Sequence, residues 1–95
     1  MAWAYVQDME VSLEDYDRVA AEVGDEAPQG LIVHVAGSHG NGVRIIDVWE
    51  SEEAWTRFRD DRLRPAIEKA LGPDAMAQGP PQIDPLEVHH IVSGS

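Results

Sequence analysis

The side chains best suited to move a proton in this chain are His34 and Asp47, which flank the stretch His39-Gly40-Asn41-Gly42. Glycine and asparagine supply the positive φ angles that a tight hairpin requires. A loop of four residues there pairs Ser38 with Val43 and sets His34 opposite Asp47, and a two-residue Gly40-Asn41 turn gives the same register. Other even-length loops slide the partner to Ile45 or Trp49 but keep the face. Directly opposed residues hold their Cβ atoms about 4.5–5.5 Å apart, within reach of a carboxylate–imidazole hydrogen bond. Such a bond fixes the imidazole tautomer and raises its basicity near neutral pH. The same pair also serves as a plain cross-strand polar contact at a dimer interface, and the sequence leaves both roles open.

Around this pair stand other groups able to meet a ligand. Tyr5 and Gln7 alternate on a first strand with Trp3, and either polar group suits a substrate oxygen. Trp49 offers a flat surface for stacking. His89, near Glu87 on a last strand, is a second acid–base candidate. His89 and His90 are adjacent in that strand, so they point to opposite faces and make poor joint metal ligands. The sequence contains no Gly-rich phosphate loop after a strand, no nucleophile elbow and no spaced zinc motif.

The elements that must position these groups follow from periodicity. Residues 2–9 alternate as a strand. Ser12 has the character of an N-cap, and Leu13, Tyr16, Val19, Ala20 and Val23 recur at helical spacing up to Gly24. Residues 30–38 and 43–50 form the hairpin strands. Ser51 caps a second helix whose Trp55 and Phe58 face inward. Pro65 predicts a break near residues 60–64. A Gly/Pro-rich loop over 74–82 leads to a last strand over 83–92, where Pro85 predicts an edge position, and residues 93–95 are expected to fray. The fold class is therefore α+β, β-α-β-β-α-β, with an antiparallel sheet and helices on one face, and residues 1–95 are read as one domain.

Each strand divides into two faces. Ala4, Val6, Leu31, Val33, Val35, Ile46, Val48, Leu86, Val88 and Val92 make an aliphatic set, whereas Trp3, Tyr5, Gln7, His34, Asp47, Trp49, Glu87 and His89 make a polar–aromatic one. Helices on one side and a second copy on the other would bury both. A pocket of aromatics with a few convergent polar groups fits a small molecule.

Composition limits the alternatives. Eighteen acidic against seven basic residues give a charge of −11, which opposes phosphate backbones and anionic lipids, so neither nucleic acid nor membrane is an expected partner. The absence of cysteine removes thiolate chemistry. Met1-Ala2-Trp3 opens without a basic leader, and a cytoplasmic location is the default expectation.

The runs Gly30-Leu31-Ile32-Val33-His34-Val35-Ala36-Gly37 and Arg44-Ile45-Ile46-Asp47-Val48-Trp49-Glu50-Ser51, with Glu53-Ala54-Trp55, Phe58 and a closing Glu87-Val88-His89-His90, resemble small actinobacterial proteins of the antibiotic biosynthesis monooxygenase-like superfamily. That resemblance implies a ferredoxin-like fold dimerised sheet to sheet as a dimeric α+β barrel. It also implies a pocket between sheet and helices. Members oxidise aromatic polyketides without a cofactor, degrade haem, or act as cyclases and isomerases. Gln7 stands where haem-degrading relatives carry an asparagine, Phe58 where they carry a catalytic tryptophan, and Glu68 near their iron-ligating histidine. The resemblance therefore points away from haem and towards no cofactor. The leading expectation is a cofactor-independent monooxygenase-like homodimer acting on a small aromatic or polyketide-like molecule. Its base would be His34 with Asp47, with His89, Tyr5, Gln7, Trp49 and Trp3 around the substrate. An oxygen-independent cyclase or isomerase and a non-catalytic binding barrel are the alternatives.

Overall fold

The computed structural model describes residues 2–76, 82–92 and 94. Strand β1 (Trp3–Met9) leads to helix α1 (Leu13–Val23), followed by strands β2 (Leu31–His39) and β3 (Gly42–Trp49). Helix α2 (Glu52–Phe58), a π-helical turn (Arg59–Leu63) and helix α3 (Arg64–Leu71) run on without interruption, and strand β4 (Asp84–Glu87) closes the sheet. The four strands are antiparallel in the order β2-β3-β1-β4. This is a small α+β architecture compatible with a ferredoxin-like fold. Of the loop expected over 74–82, residues 77–81 lie outside the described residues, as do 93 and 95 of the expected frayed end. Among the described residues no helix is long and apolar enough to cross a membrane.

Local chemistry explains the boundaries. The Ser12 hydroxyl accepts from the Asp15 N–H at 3.0 Å, and the Ser51 hydroxyl from the Ala54 N–H at 3.1 Å, so each helix begins on a satisfied donor. Gly40, at φ 58°, makes the sharp hairpin turn, and His39 pairs with Gly42. Pro65 does not break the second helical run. The chain widens into a π turn just before it, which accommodates the proline's missing N–H and ring within a continuous helix. That turn also aims Arg62, whose guanidinium donates to the carbonyls of Val23 (2.9 Å) and Glu26 (3.0 Å) and lies 5.5 Å from the Phe58 ring centre. Arg62 thus occupies the Val23 carbonyl that the end of α1 leaves unpaired, and the Glu26 carbonyl of the loop that follows.

The last strand is shorter than its sequence pattern suggests. β4 pairs with β1 from Asp84 to Glu87, and the Val88 N–H reaches the Ala2 carbonyl at 3.3 Å. β1 begins at Trp3, so the described pairing ends there and residues 89–92 lie beyond the sheet. Pro85 sits in an edge strand, where its lack of a donor is tolerated. A second departure lies in β2, where the register shifts between Leu31 and Val33. One irregular residue reverses the parity of the strand, so Leu31 packs on the helix side with the aromatic core, not with the aliphatic set.

The buried core is aromatic. Trp3, Tyr5, Trp49 and Trp55 pack with Val43 and Ile45, and Phe58 lies against them. Tilted ring pairs join Tyr5 to Trp55 at 4.7 Å and Trp49 to Phe58 at 5.4 Å between centroids. The opposite sheet face stays uncovered: Val33, Val35, Ile46 and Leu86 are all more than 40% exposed.

Gly42 tests the packing of β3 against β1. A Cβ built there would run into the Met9 carbonyl, so Gly42→Ala is expected to lose about 1–3 kcal/mol of stability. Gly37→Ala, with open space around its Cβ, should be near neutral. Urea unfolding of both variants checks the pair.

Candidate functional site

The hairpin register places His34 opposite Asp47, and β1 places Tyr5 opposite Asp47 from the other side. Asp47 is therefore the middle of a three-strand row. Its carboxylate is buried and fully engaged: Oδ1 accepts from His34 Nδ1 at 2.5 Å, and Oδ2 accepts from the Tyr5 hydroxyl at 2.8 Å and the Trp49 indole N–H at 3.2 Å. Three donors compensate a charge that burial alone would penalise heavily. Because Nδ1 donates to the carboxylate, the neutral ring carries its lone pair on Nε2. That nitrogen meets the Tyr16 hydroxyl of α1 at 2.6 Å.

A cavity of about 970 Å³ opens on this row between sheet and helices. Its walls include Tyr5, Gln7, Tyr16, His34, Asp47 and Trp49, together with aliphatic side chains of α1 and α3. It exists because α1 stands off the sheet: none of its residues is buried. The residues that recur at helical spacing in α1 line the hollow, through Tyr16, Val19, Ala20 and Val23. Leu13, from the same series, is 50% exposed. Exposed acidic residues (Asp8, Glu10, Asp25 and Glu26) are also part of the lining, so the cavity reaches the surface through a negative rim.

The imidazole and its carboxylate differ in access. The His34 side chain is 37% exposed and that of Asp47 is 5% exposed. A ligand therefore meets far more of the ring than of the carboxylate that holds it. The hydrogen bond to Asp47 raises the His34 pKa above its ordinary 6.5, against a smaller opposing effect of burial. Burial, reinforced by Asp47, raises the Tyr5 phenol far above its usual range, and Tyr16 is raised for the same two reasons. Both tyrosines are thus neutral hydroxyl donors at ordinary pH.

The residues singled out from sequence are distributed as follows. His34, Asp47, Tyr5, Gln7 and Trp49 meet at the cavity. Gln7 is buried, and among the described residues no hydrogen bond ties its amide. Trp3 is buried against Tyr5, 5.6 Å between ring centroids, and is outside the lining. His89 is exposed, lies beyond the end of β4 and is not brought to His34. Glu87 is exposed on β4. Tyr16 is the participant that sequence reading placed in the apolar stripe of a helix. Its hydroxyl was the signal that could have separated it from its aliphatic neighbours. Among the described residues no group of three or more His, Asp or Glu side chains could hold a metal ion.

No protein-family model matches this sequence, and no curated protein matches it.

The site makes a titration prediction. Asp47→Asn removes the main cause of the raised His34 pKa, so the ring should titrate closer to 6.5 by NMR. The sign for stability follows. A histidine raised on folding stabilises the fold below its unfolded pKa, and this contribution fades as pH rises through the folded value. In Asp47→Asn that pH dependence should flatten, and an unmoved His34 titration would contradict the assignment.

Proposed function

We propose that this chain is a cofactor-independent monooxygenase-like enzyme of the antibiotic biosynthesis monooxygenase-like, dimeric α+β-barrel kind, acting on a small aromatic or polyketide-like molecule. The observation that carries the reading is the His34 ring at the cavity wall, held on its Nδ1 side by buried Asp47 with Nε2 turned to the hollow. A cavity of about 970 Å³ falls at the upper end of ordinary small-molecule sites. In the proposed step Nε2 takes the proton of a phenol or enol, and the electron-rich anion reduces dioxygen. At an activated CH2 the balance is simple: carbon loses two hydrogens and gains one oxygen as a carbonyl, and the second oxygen leaves as water. Asp47 stabilises the imidazolium formed on the way. Trp49 and Tyr5 form part of the wall that a flat substrate would meet, and the Gln7 amide is free to bond a substrate oxygen.

A second reading keeps the base and omits oxygen. The Tyr16 hydroxyl beside His34 supplies the second proton-handling group that a cyclase or isomerase needs. Oxygen uptake with a hydroxylated polycyclic substrate separates the two, because turnover that continues unchanged without oxygen removes the monooxygenase reading. His34→Ala should lower turnover by about 100-fold or more. Wild-type activity below a neutral pH should fall as His34 protonates, and Asp47→Asn should shift that fall to lower pH. Turnover that survives His34→Ala would leave a binding barrel.

We also propose that two copies pack sheet to sheet. The aliphatic face of exposed Val33, Val35, Ile46 and Leu86 with half-buried Val6 and Val48 is contiguous across all four strands, and a patch of this kind marks an association surface. An identical sheet matches it in shape and polarity. Sedimentation should give a dimer for the wild type and a monomer for Val35→Lys/Ile46→Lys, whereas a monomeric wild type would sink the proposal.

A further inference from the structure

The hydrogen bond that faces the cavity is made by the protein to itself. His34 Nε2, the one nitrogen of the ring that a ligand can address, is already occupied by the Tyr16 hydroxyl at 2.6 Å. The two rings lie nearly parallel, 7° apart and 6.2 Å between centroids, so Tyr16 reaches Nε2 along the same cavity wall that a flat hydroxylated guest would follow. Its phenol is kept neutral by burial and by Asp47, so it donates and the imidazole accepts. A ligand hydroxyl seeking Nε2 must remove a competitor of its own chemical class.

The Tyr16 side chain, on the cavity face of α1, is the group that can let go. None of the helix's residues is buried, and the side chains it turns towards the sheet border the hollow. Tyr16 is half-buried at the margin of the aromatic core, so its release gives up contacts at that margin only and exposes one hydroxyl that water can serve. The cavity also contains an anchor that keeps a guest in place once Tyr16 yields: Gln7 is a buried residue of the lining, and among the described residues its amide has no hydrogen bond and stays accessible.

We infer that Tyr16 is a displaceable latch on the base, whose hydroxyl fills the place of the ligand's hydroxyl in the empty site. This rests on the reading of the cavity as a ligand site, and it makes Tyr16 a specificity-determining residue. Guests that carry a hydroxyl can exchange with Tyr16. Guests that lack one leave the Tyr16–His34 bond in place and occupy only the apolar part of the cavity.

The test compares 2-naphthol with 2-methylnaphthalene, which has nearly the same shape but cannot donate, by NMR-monitored titration of the wild type and Tyr16→Phe. Removing the latch should tighten naphthol binding about fivefold, the worth of one ordinary hydrogen bond of about 1 kcal/mol. Methylnaphthalene affinity should stay within about twofold, the spread expected when no hydrogen bond is at stake. Tyr16→Met should repeat the pattern if the phenylalanine variant folds poorly. Naphthol affinity that falls or is unchanged, a parallel shift for both probes, or binding of neither probe overturns the latch. The affinity pattern is independent of turnover: an enzyme inactive with oxygen but showing this pattern loses the monooxygenase reading and keeps the latch, and the converse loses only the latch.

Discussion

The fold turns on one buried carboxylate. Asp47 occupies an inner strand, on the face that the helices cover, where an uncompensated charge would be worth several kcal/mol against folding. It is tolerated because three strands each bring a donor to it: Tyr5 from β1, His34 from β2 and Trp49 from β3 itself. Those donors reach the carboxylate only in one register, since a slip of one residue would send the neighbouring side chains to the other face. The requirement to satisfy Asp47 thus selects the same strand alignment as the hydrophobic pattern does. Structural need and chemical capacity coincide in this row.

A consequence is that any proton transfer at this row is confined to a single atom. Both oxygens of Asp47 are engaged, the Tyr5 phenol is committed to it, and His34 Nδ1 is fixed. Only Nε2 can change partner. The aromatic cluster of Trp3, Tyr5, Trp49 and Trp55 holds the row from one side, while the other side is a hollow. Rigidity on one side of the imidazole and space on the other is the arrangement that lets a guest approach without disturbing what positions the base.

Much of this was legible in the sequence because β-structure counts in twos. A tight turn at residues 39–42 put His34 and Asp47 on one face and offered their direct pairing, which the register bears out, and alternation put Tyr5 and Gln7 on the same side. What failed to be legible depended on events that have no period. The irregular residue between Leu31 and Val33 reversed the face of Leu31, and Pro65 was absorbed by a π turn that no local propensity announces. The reach of the last strand depended on where its partner begins, so Pro85 foretold its edge position but not its end. Tyr16 was hidden for another reason. Helical periodicity marks the side of a helix that faces inward, and it cannot tell a packed interior from a hollow one.

That distinction also bears on the two apolar surfaces of the sheet. A chain of 95 residues has few apolar side chains to spend, and here the helix-facing side is only partly filled while the opposite side carries Val33, Val35, Ile46 and Leu86 in the open. A hollow interior forfeits dispersion contacts that close packing would supply. Burial of the outer face against an identical sheet would restore apolar contact without touching the cavity, because side chains of alternating parity never share a surface. The two faces are therefore separable in purpose. One can be optimised for association while the other stays open for chemistry, and the strand alternation that separates them is the same alternation that brings His34 to Asp47.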